Sequence, residues 1–178
     1  ILHSQRAIAI QWWRWPRLMC VEEDVRCWTA NGFFWSGNFS MVIGSTLSSG
    51  GAIVLQATFE AEEALELMQA ERVTMTFAWP HQWAKLVEDP AYREVDLSSL
   101  RYVGETSPLR AHPTVTSNWQ EPMSAYGNTE TLTLNTAHPS GTDPAFAAGN
   151  HGLPLAGNIV RIVEPVTDVL NEAAPNGS

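Results

Sequence analysis

Between Phe59 and Phe77 the spacing of apolar residues changes from one period to another. In FEAEEALELMQAER, Ala61, Leu65 and Met68 recur three to four apart among acidic and polar residues, which predicts an amphipathic helix facing a core with one side. Thr58 is placed to cap it, and Glu60, Glu62 and Glu63 suit the positive end of its dipole. VTMTFA then alternates Val73, Met75 and Phe77 with small polar residues, as a strand does, and Pro80 closes it. Similar readings cover the rest of the chain. HSQRAIAIQWWRW reads as a helix stopping at Pro16, VRCWT (25–29) as a strand, and GFFWSGNFSMVIGSTLSSGG as a buried helix ended by Gly50 and Gly51. Gly37 and Gly44 weaken that last helix. AIVLQ reads as a buried strand, HQWAKLVE as a short helix stopped by Asp89-Pro90, and LRYVG, EPMSAY and NIVRIVEP (158–165) as further strands. Strands alternating with helices predict an α/β fold, a largely parallel sheet flanked by helices.

Composition narrows the function classes. The chain has 178 residues, 44% hydrophobic and 16% charged, enough to bury a core without metals or disulfides. No apolar run is long enough for a membrane span. Ten basic against 19 acidic residues give a net charge of −9, so no nucleic-acid chain is expected as a partner. Two cysteines, Cys20 and Cys27, form neither a metal motif nor a disulfide framework and suggest a reducing, cytoplasmic setting. The five histidines are scattered, which argues against zinc hydrolysis, and Lys85 is the only lysine, within a helix that reads as solvated. The chain starts at Ile1 without a Met and stops at Asn-Gly-Ser, as expected of a piece of something longer.

The segment richest in chemistry is SAYGNTETL, Ser124 to Leu132. Gly127 and Asn128 are ordinary turn formers. Yet the segment follows a candidate strand, and in parallel α/β sheets ligands sit beyond the carboxyl ends of the strands. A chain reversal and a ligand site both remain open on these residues alone.

YGNTE (126–130) resembles the Tyr-Gly-x-Thr-Glu motif of the adenylate-forming superfamily of acyl-CoA synthetases, peptide-synthetase adenylation domains and luciferases. FFWSGNF (33–39) is similar to that superfamily's entry to the acyl-pocket helix, DLSSLRYVGETSPL to the strand and loop that pack on adenine, and HGLPLAGNIVRIVEP to its Gly-x-Pro-x-x-Gly stretch. The order is preserved over nearly all of the chain. HSQR resembles the sequence just after the superfamily's phosphate loop, and NEAAPNGS the turn shortly before its ribose-binding Asp. The resemblance implies that residues 1–178 are the central part of the large N-terminal domain, a partial AMP-binding domain. The phosphate loop, the ribose Asp and the C-terminal domain with its catalytic Lys are absent from these residues. A Gly/Ser/Thr-rich loop ending in Lys-Gly is expected upstream of Ile1, and an Asp soon after Ser178.

The roles that the resemblance implies follow position by position. Tyr126 stacks on adenine, Gly127 lets the nucleotide approach, and Thr129 gives its hydroxyl to the α-phosphate. Glu130 binds Mg²⁺, a hard cation that takes oxygen ligands. Ser107, Pro108 and Ser124 complete the nucleotide side, and Phe34, Trp35 and Asn38 the acyl pocket. Adjacent aromatics such as Phe33, Phe34 and Trp35 are equally ordinary core residues. Glu105 and Thr106 stand where the superfamily commonly has Gly-Gly, which narrows the backbone's options beside adenine. The implied function is an ATP-dependent acid-activating ligase: a carboxylate and ATP give an acyl-adenylate, then a thioester with CoA. The implied partners are the acid, ATP, Mg²⁺ and CoA. The alternatives are a peptide-synthetase adenylation domain, which normally places an Asp where this chain offers Trp35 and Asn38, and a non-catalytic nucleotide-binding or scaffold module. Without the missing parts, this segment alone is expected to be inactive.

Overall fold

The computed structural model describes residues 1–163, and its centre is the four-residue strand β1 (Arg26–Thr29). Two strands pair with it in parallel, β2 (Ala52–Val54) on one side and β3 (Met75–Phe77) on the other, in the order β2-β1-β3. Tyr102 extends the sheet by a single parallel bridge to Met75. Successive side chains of a strand point to opposite faces. Cys27 accordingly joins a cluster with Trp15, Leu18, Met19 and Val42, while Trp28 joins one with Leu65, Met68, Leu86 and Leu100. Both are fully buried, so β1 is covered on each face, as parallel strands require.

The connections explain the two layers. From β1 the chain crosses to β2 through a π-helical turn (Asn38–Gly44) and α2 (Ser45–Ser48), and these pack against α1 (Gln5–Met19). From β2 it crosses back over β1 to β3 through α3 (Ala61–Ala70), which packs with α4 (Pro80–Glu88). Right-handed crossovers running in opposite directions along a sheet put their helices on opposite faces. The two clusters are the result.

Several sequence expectations change in detail. α1 does not stop at Pro16 but runs to Met19, where Cys20 takes a left-handed conformation. Pro16 has no N–H to offer the carbonyl of Trp12. The Ser48 hydroxyl donates to that carbonyl instead, at 2.6 Å, so a tertiary bond replaces the missing helical one. Thr58 is not the cap of α3; Glu60 is, without a side-chain bond, and Glu62 and Glu63 stand in the first turn. The expected helix from Gly32 forms only from Ser36, and Gly50, at φ 87°, ends it. Gly44 weakens the intrinsic helix but serves the packing: a Cβ there would collide with the Trp12 indole. LRYVG and EPMSAY are reduced to bridges at Tyr102 and Tyr126. Asn158 to Ile162 are irregular, and the end of that expected strand lies outside the described residues. Beyond the main sheet, β4 (Thr136–Ala137) and β5 (Leu153–Pro154) form an antiparallel pair that brackets α5 (Pro144–Ala147). Among the described residues no helix is long and apolar enough to cross a membrane.

The two thiols sit in opposite environments. Burial on β1 pushes the Cys27 thiol up to about 12, against a smaller opposing effect of a hydrogen bond with Thr46, whereas Cys20 is exposed at the end of α1. Because the thiolate is the reactive form, alkylation of the folded protein at pH 8 should modify Cys20 and spare Cys27 until denaturant is added. Peptide mapping by mass spectrometry checks this, and equal labelling of both in the native state would contradict the central placement of β1.

Candidate functional site

The motif Tyr126 to Glu130 lies on a turn held by its own backbone and by the side chains of Asn128 and Thr131. The Tyr126 main chain pairs with Thr136, and Asn128 caps a single 3-10 turn, Thr129–Thr131: its side chain accepts from Thr131 N at 3.0 Å while the Thr131 hydroxyl accepts from Asn128 N at 3.1 Å. Leu132 closes the turn in the left-handed region, φ 52°, and is itself buried. A Cβ at Gly127 would collide with the carbonyl of Thr133. The glycine therefore lets the turn fold onto the backbone of Thr133 and Leu134 just downstream.

This geometry leaves two side chains uncommitted. Thr129 and Glu130 are exposed, and among the described residues neither the hydroxyl nor the carboxylate makes a hydrogen bond or ion pair. Glu130 lines an open cleft of about 450 Å³ whose opposite wall is the start of α1, with His3, Ser4 and Arg6. The Tyr126 ring is half exposed and tilts against His151, with ring centroids 6.3 Å apart. His3 and Arg6 beside Glu130 escaped the sequence reading, since more than 120 residues separate them from the motif. No local pattern marks them.

The second wall is the loop after Val103. Among the described residues the buried Ser107 hydroxyl has no partner, and Pro108 opens a short 3-10 turn. Glu105 and Thr106 are exposed and border a cleft of about 220 Å³ together with Glu121, Met123 and Ser124. Ser124 sits at φ 47°, and its hydroxyl donates to the Ala147 carbonyl at 2.8 Å. The Glu121 carboxylate packs on the backbone of Gly104, where any Cβ would collide with it. The residue as a whole is exposed, but the loss of water where its carboxylate lies against Gly104, and then the like charge of Glu105, raise its pKa, with Arg110 opposing.

The acyl-pocket candidates divide. Phe34 is 96% exposed, and Trp35 packs at 4.8 Å on Trp79. Asn38 is fully buried, and both ends of its amide are used: it accepts from the Thr29 hydroxyl at 2.9 Å and donates to the Asn31 carbonyl at 2.9 Å. That network fixes the loop leaving β1. Next to it, Thr29, Phe33, Leu55 and Phe59 border a cleft of about 590 Å³ at the carboxyl ends of β1 and β2. The clefts at Phe33 and Glu105 lie on loops that follow β1 and the Tyr102 bridge of the parallel sheet, whereas the Glu130 turn follows Tyr126, which bridges to β4 of the antiparallel pair.

Comparison with known proteins gives a consistent result. The family model described as "AMP-binding enzyme" matches residues 1–177. A feruloyl-CoA synthase from an Amycolatopsis species is 30% identical over 149 residues, 80% of this chain and 29% of that protein. An indoleacetate–CoA ligase from Aromatoleum aromaticum is 29% identical over 143 residues, 79% of this chain and 28% of that protein. The chain thus spans less than a third of the length of these relatives. Among solved structures, apo MatB from Rhodopseudomonas palustris superposes with a TM-score of 0.66 at 20% identity, over 98% of this chain and 34% of that one, a likeness of fold.

Glu121 generates a prediction with a definite sign. A carboxyl whose pKa is raised on folding favours the folded state when protonated; that stability is present below the ordinary glutamate range and is lost as pH rises through the raised value. Glu121→Gln stays neutral throughout. Its melting temperature relative to wild type should therefore rise between pH 4 and pH 8. A difference that is flat or falls over this range would show that Glu121 is not held in the environment described.

Proposed function

The chain belongs to the AMP-binding enzyme family, and from this membership together with the site we propose that it is the central part of the N-terminal domain of an ATP-dependent acid–CoA ligase. The whole protein would join a carboxylic acid to ATP as an acyl-adenylate, releasing pyrophosphate, and then form the CoA thioester. One observation carries this reading: a capped turn presents two exposed side chains that make no hydrogen bond or ion pair among the described residues, the Glu130 carboxylate lining a cleft and the Thr129 hydroxyl next to it in the chain. Side chains held out in this way serve a ligand better than the fold. The relatives, named for feruloyl and indoleacetate substrates, support an aromatic acid as the substrate class.

The donor set fits Mg²⁺. Among the described residues no group of three or more His, Cys, Asp or Glu comes together, so zinc or calcium cages are not built here. Mg²⁺ is commonly held by one or two carboxylates plus substrate phosphates and water, and Glu130 supplies such a carboxylate. When bound, the ion offsets the charge that gathers at the α-phosphate as pyrophosphate leaves. The chain's own residues do the rest. The Thr129 hydroxyl donates to an α-phosphate oxygen, and Tyr126 offers a ring face to adenine. Ser107 and Pro108 close the opposite side of the base, and Ser124 contributes through its backbone, since its hydroxyl is already spent on Ala147. Phe34 and Trp35 stand at the entry of the acyl side, with Asn38 fixing the loop beneath them. The phosphate loop, the ribose-binding Asp and the C-terminal domain would come from residues outside these 178, in a cytoplasmic enzyme that draws on ATP and CoA. The peptide-synthetase alternative loses ground because the Asn38 amide is spent within the fold and has nothing left for an amino group.

Two tests address this reading in the full-length protein. Glu130→Gln keeps the shape and removes the charge, so acid-dependent exchange between ATP and pyrophosphate should fall on the order of a hundredfold, about 2.7 kcal/mol of barrier. Melting should be unchanged, because among the described residues the carboxylate has no partner to lose. Wild-type exchange at saturating Mg²⁺ would reduce Glu130 to a turn residue. Trp35→Ala opens space beside Trp79, and kcat/KM across a graded series of acids should shift toward bulkier ones, each buried methylene being worth roughly 0.8 kcal/mol. An unchanged ranking with a stability loss of about 3 to 5 kcal/mol would make Trp35 a packing residue instead.

A further inference from the structure

The turn that carries Thr129 and Glu130 is short, exposed and of the 3-10 type, which is a weak device for fixing side chains by itself. Its support comes from across the cleft. His3, just ahead of α1, places Nε2 2.9 Å from the carbonyl of Thr129. Two turns farther along α1, Gln11 is 2% exposed, and its amide donates to the carbonyl of Leu134 at 2.9 Å. The other end of Gln11 accepts from Arg14 at 3.0 Å; Arg14 donates to Asn158, and Asn158 to the Asn135 carbonyl at 3.1 Å. Both ends of the segment 129–135 are thereby tied to α1 and the residue that leads into it. A buried glutamine on α1 is costly unless its amide is bonded. Its partner here is a main-chain carbonyl on the motif's own segment.

We propose that His3 and Gln11 are positioning residues for the Thr129–Glu130 pair, with α1 and its lead-in serving as the splint that holds the hydroxyl and the carboxylate at a fixed spacing, the carboxylate facing the cleft. The proposal rests on the reading of Glu130 given above, but its first test is independent of catalysis. His3 donates through Nε2–H to an oxygen that also accepts from Leu132 N at 3.1 Å, so its loss loosens the turn at the residue that bears the hydroxyl. Gln11 fixes the far end, five residues on. Partners that orient a metal ligand are typically worth 10- to 100-fold in metal affinity or activity.

The experiment compares wild type, His3→Ala, Gln11→Ala and the conservative His3→Gln in the full-length protein. Amide hydrogen exchange without nucleotide or metal should rise at residues 128–134 in both alanine variants, leave β1 to β3 unchanged, and return toward wild type in His3→Gln, which keeps an N–H donor. The Mg²⁺ concentration for half-maximal exchange of pyrophosphate into ATP should rise roughly 10-fold or more in His3→Ala, with the KM for the acid little changed. If buried Gln11→Ala fails to fold, the partly exposed His3 decides the matter. Unchanged exchange at 128–134 in His3→Ala overturns the proposal, as does exchange that rises evenly over the whole chain with an unaltered Mg²⁺ requirement. Glu130→Gln separates the two layers. If that variant leaves the Mg²⁺ requirement unaltered, the functional reading of Glu130 fails, and the hydrogen-exchange result alone then decides the positioning claim.

Discussion

Everything in this fold is referred to the burial of β1 on both faces. Cys27 and Trp28 are adjacent in sequence, fully buried, and committed to opposite clusters. Because the pleat sends neighbours to opposite sides, a slip of one residue in pairing with Ile53 or Met75 would exchange the two faces and place an indole where a thiol fits. The register of a three-stranded sheet is thus set by one dipeptide. The cleft bordered by Phe33 and Leu55 lies at the carboxyl ends of β1 and β2.

The site is assembled from loops that are fastened by polar bonds rather than by packing. Behind the Phe33–Trp35 loop lies the Thr29–Asn38–Asn31 network, and Gln82 adds a bond to the Ala30 carbonyl at 3.1 Å. Beneath the Thr129 turn lie the Asn128 cap and the side chains of α1. A polar bond fixes direction as well as distance, so the exposed residues at the tips keep a defined aim while the apolar clusters stay below. The Glu105 and Glu121 pair is the exception: two carboxylates near one small cleft repel, and this raises the free energy of the charged loop.

The glycines show the same division between local and tertiary demands. Gly44 sits in the π-helical turn against Trp12, and Gly127 faces Thr133. In each case the hydrogen side chain makes room for another part of this chain. Neither position calls for a glycine by backbone angle, so their cause is close approach, a property of the folded molecule.

By itself the sequence determined the α/β alternation of β1, β2, α3, β3 and α4, because hydrophobic period and Pro and Gly punctuation are local; Thr129 and Glu130 came forward only through the resemblance of their motif to a known superfamily. It misplaced the end of α1, since Pro16 forbids one helical bond and the substitute, from Ser48, arrives from 32 residues away. It likewise promised strands at 100–104 and 121–126 that persist only as bridges, because strand formation needs a partner of matching register and not just β-favouring residues. Asn38 was legible as a polar residue in an apolar segment but not as the tie of the β1 loop. His3 and Gln11 gave no local signal at all. Their bonds to Thr129 and Leu134 span 126 and 123 residues, and only the packing of α1 against the sheet decides which carbonyls its polar side chains meet.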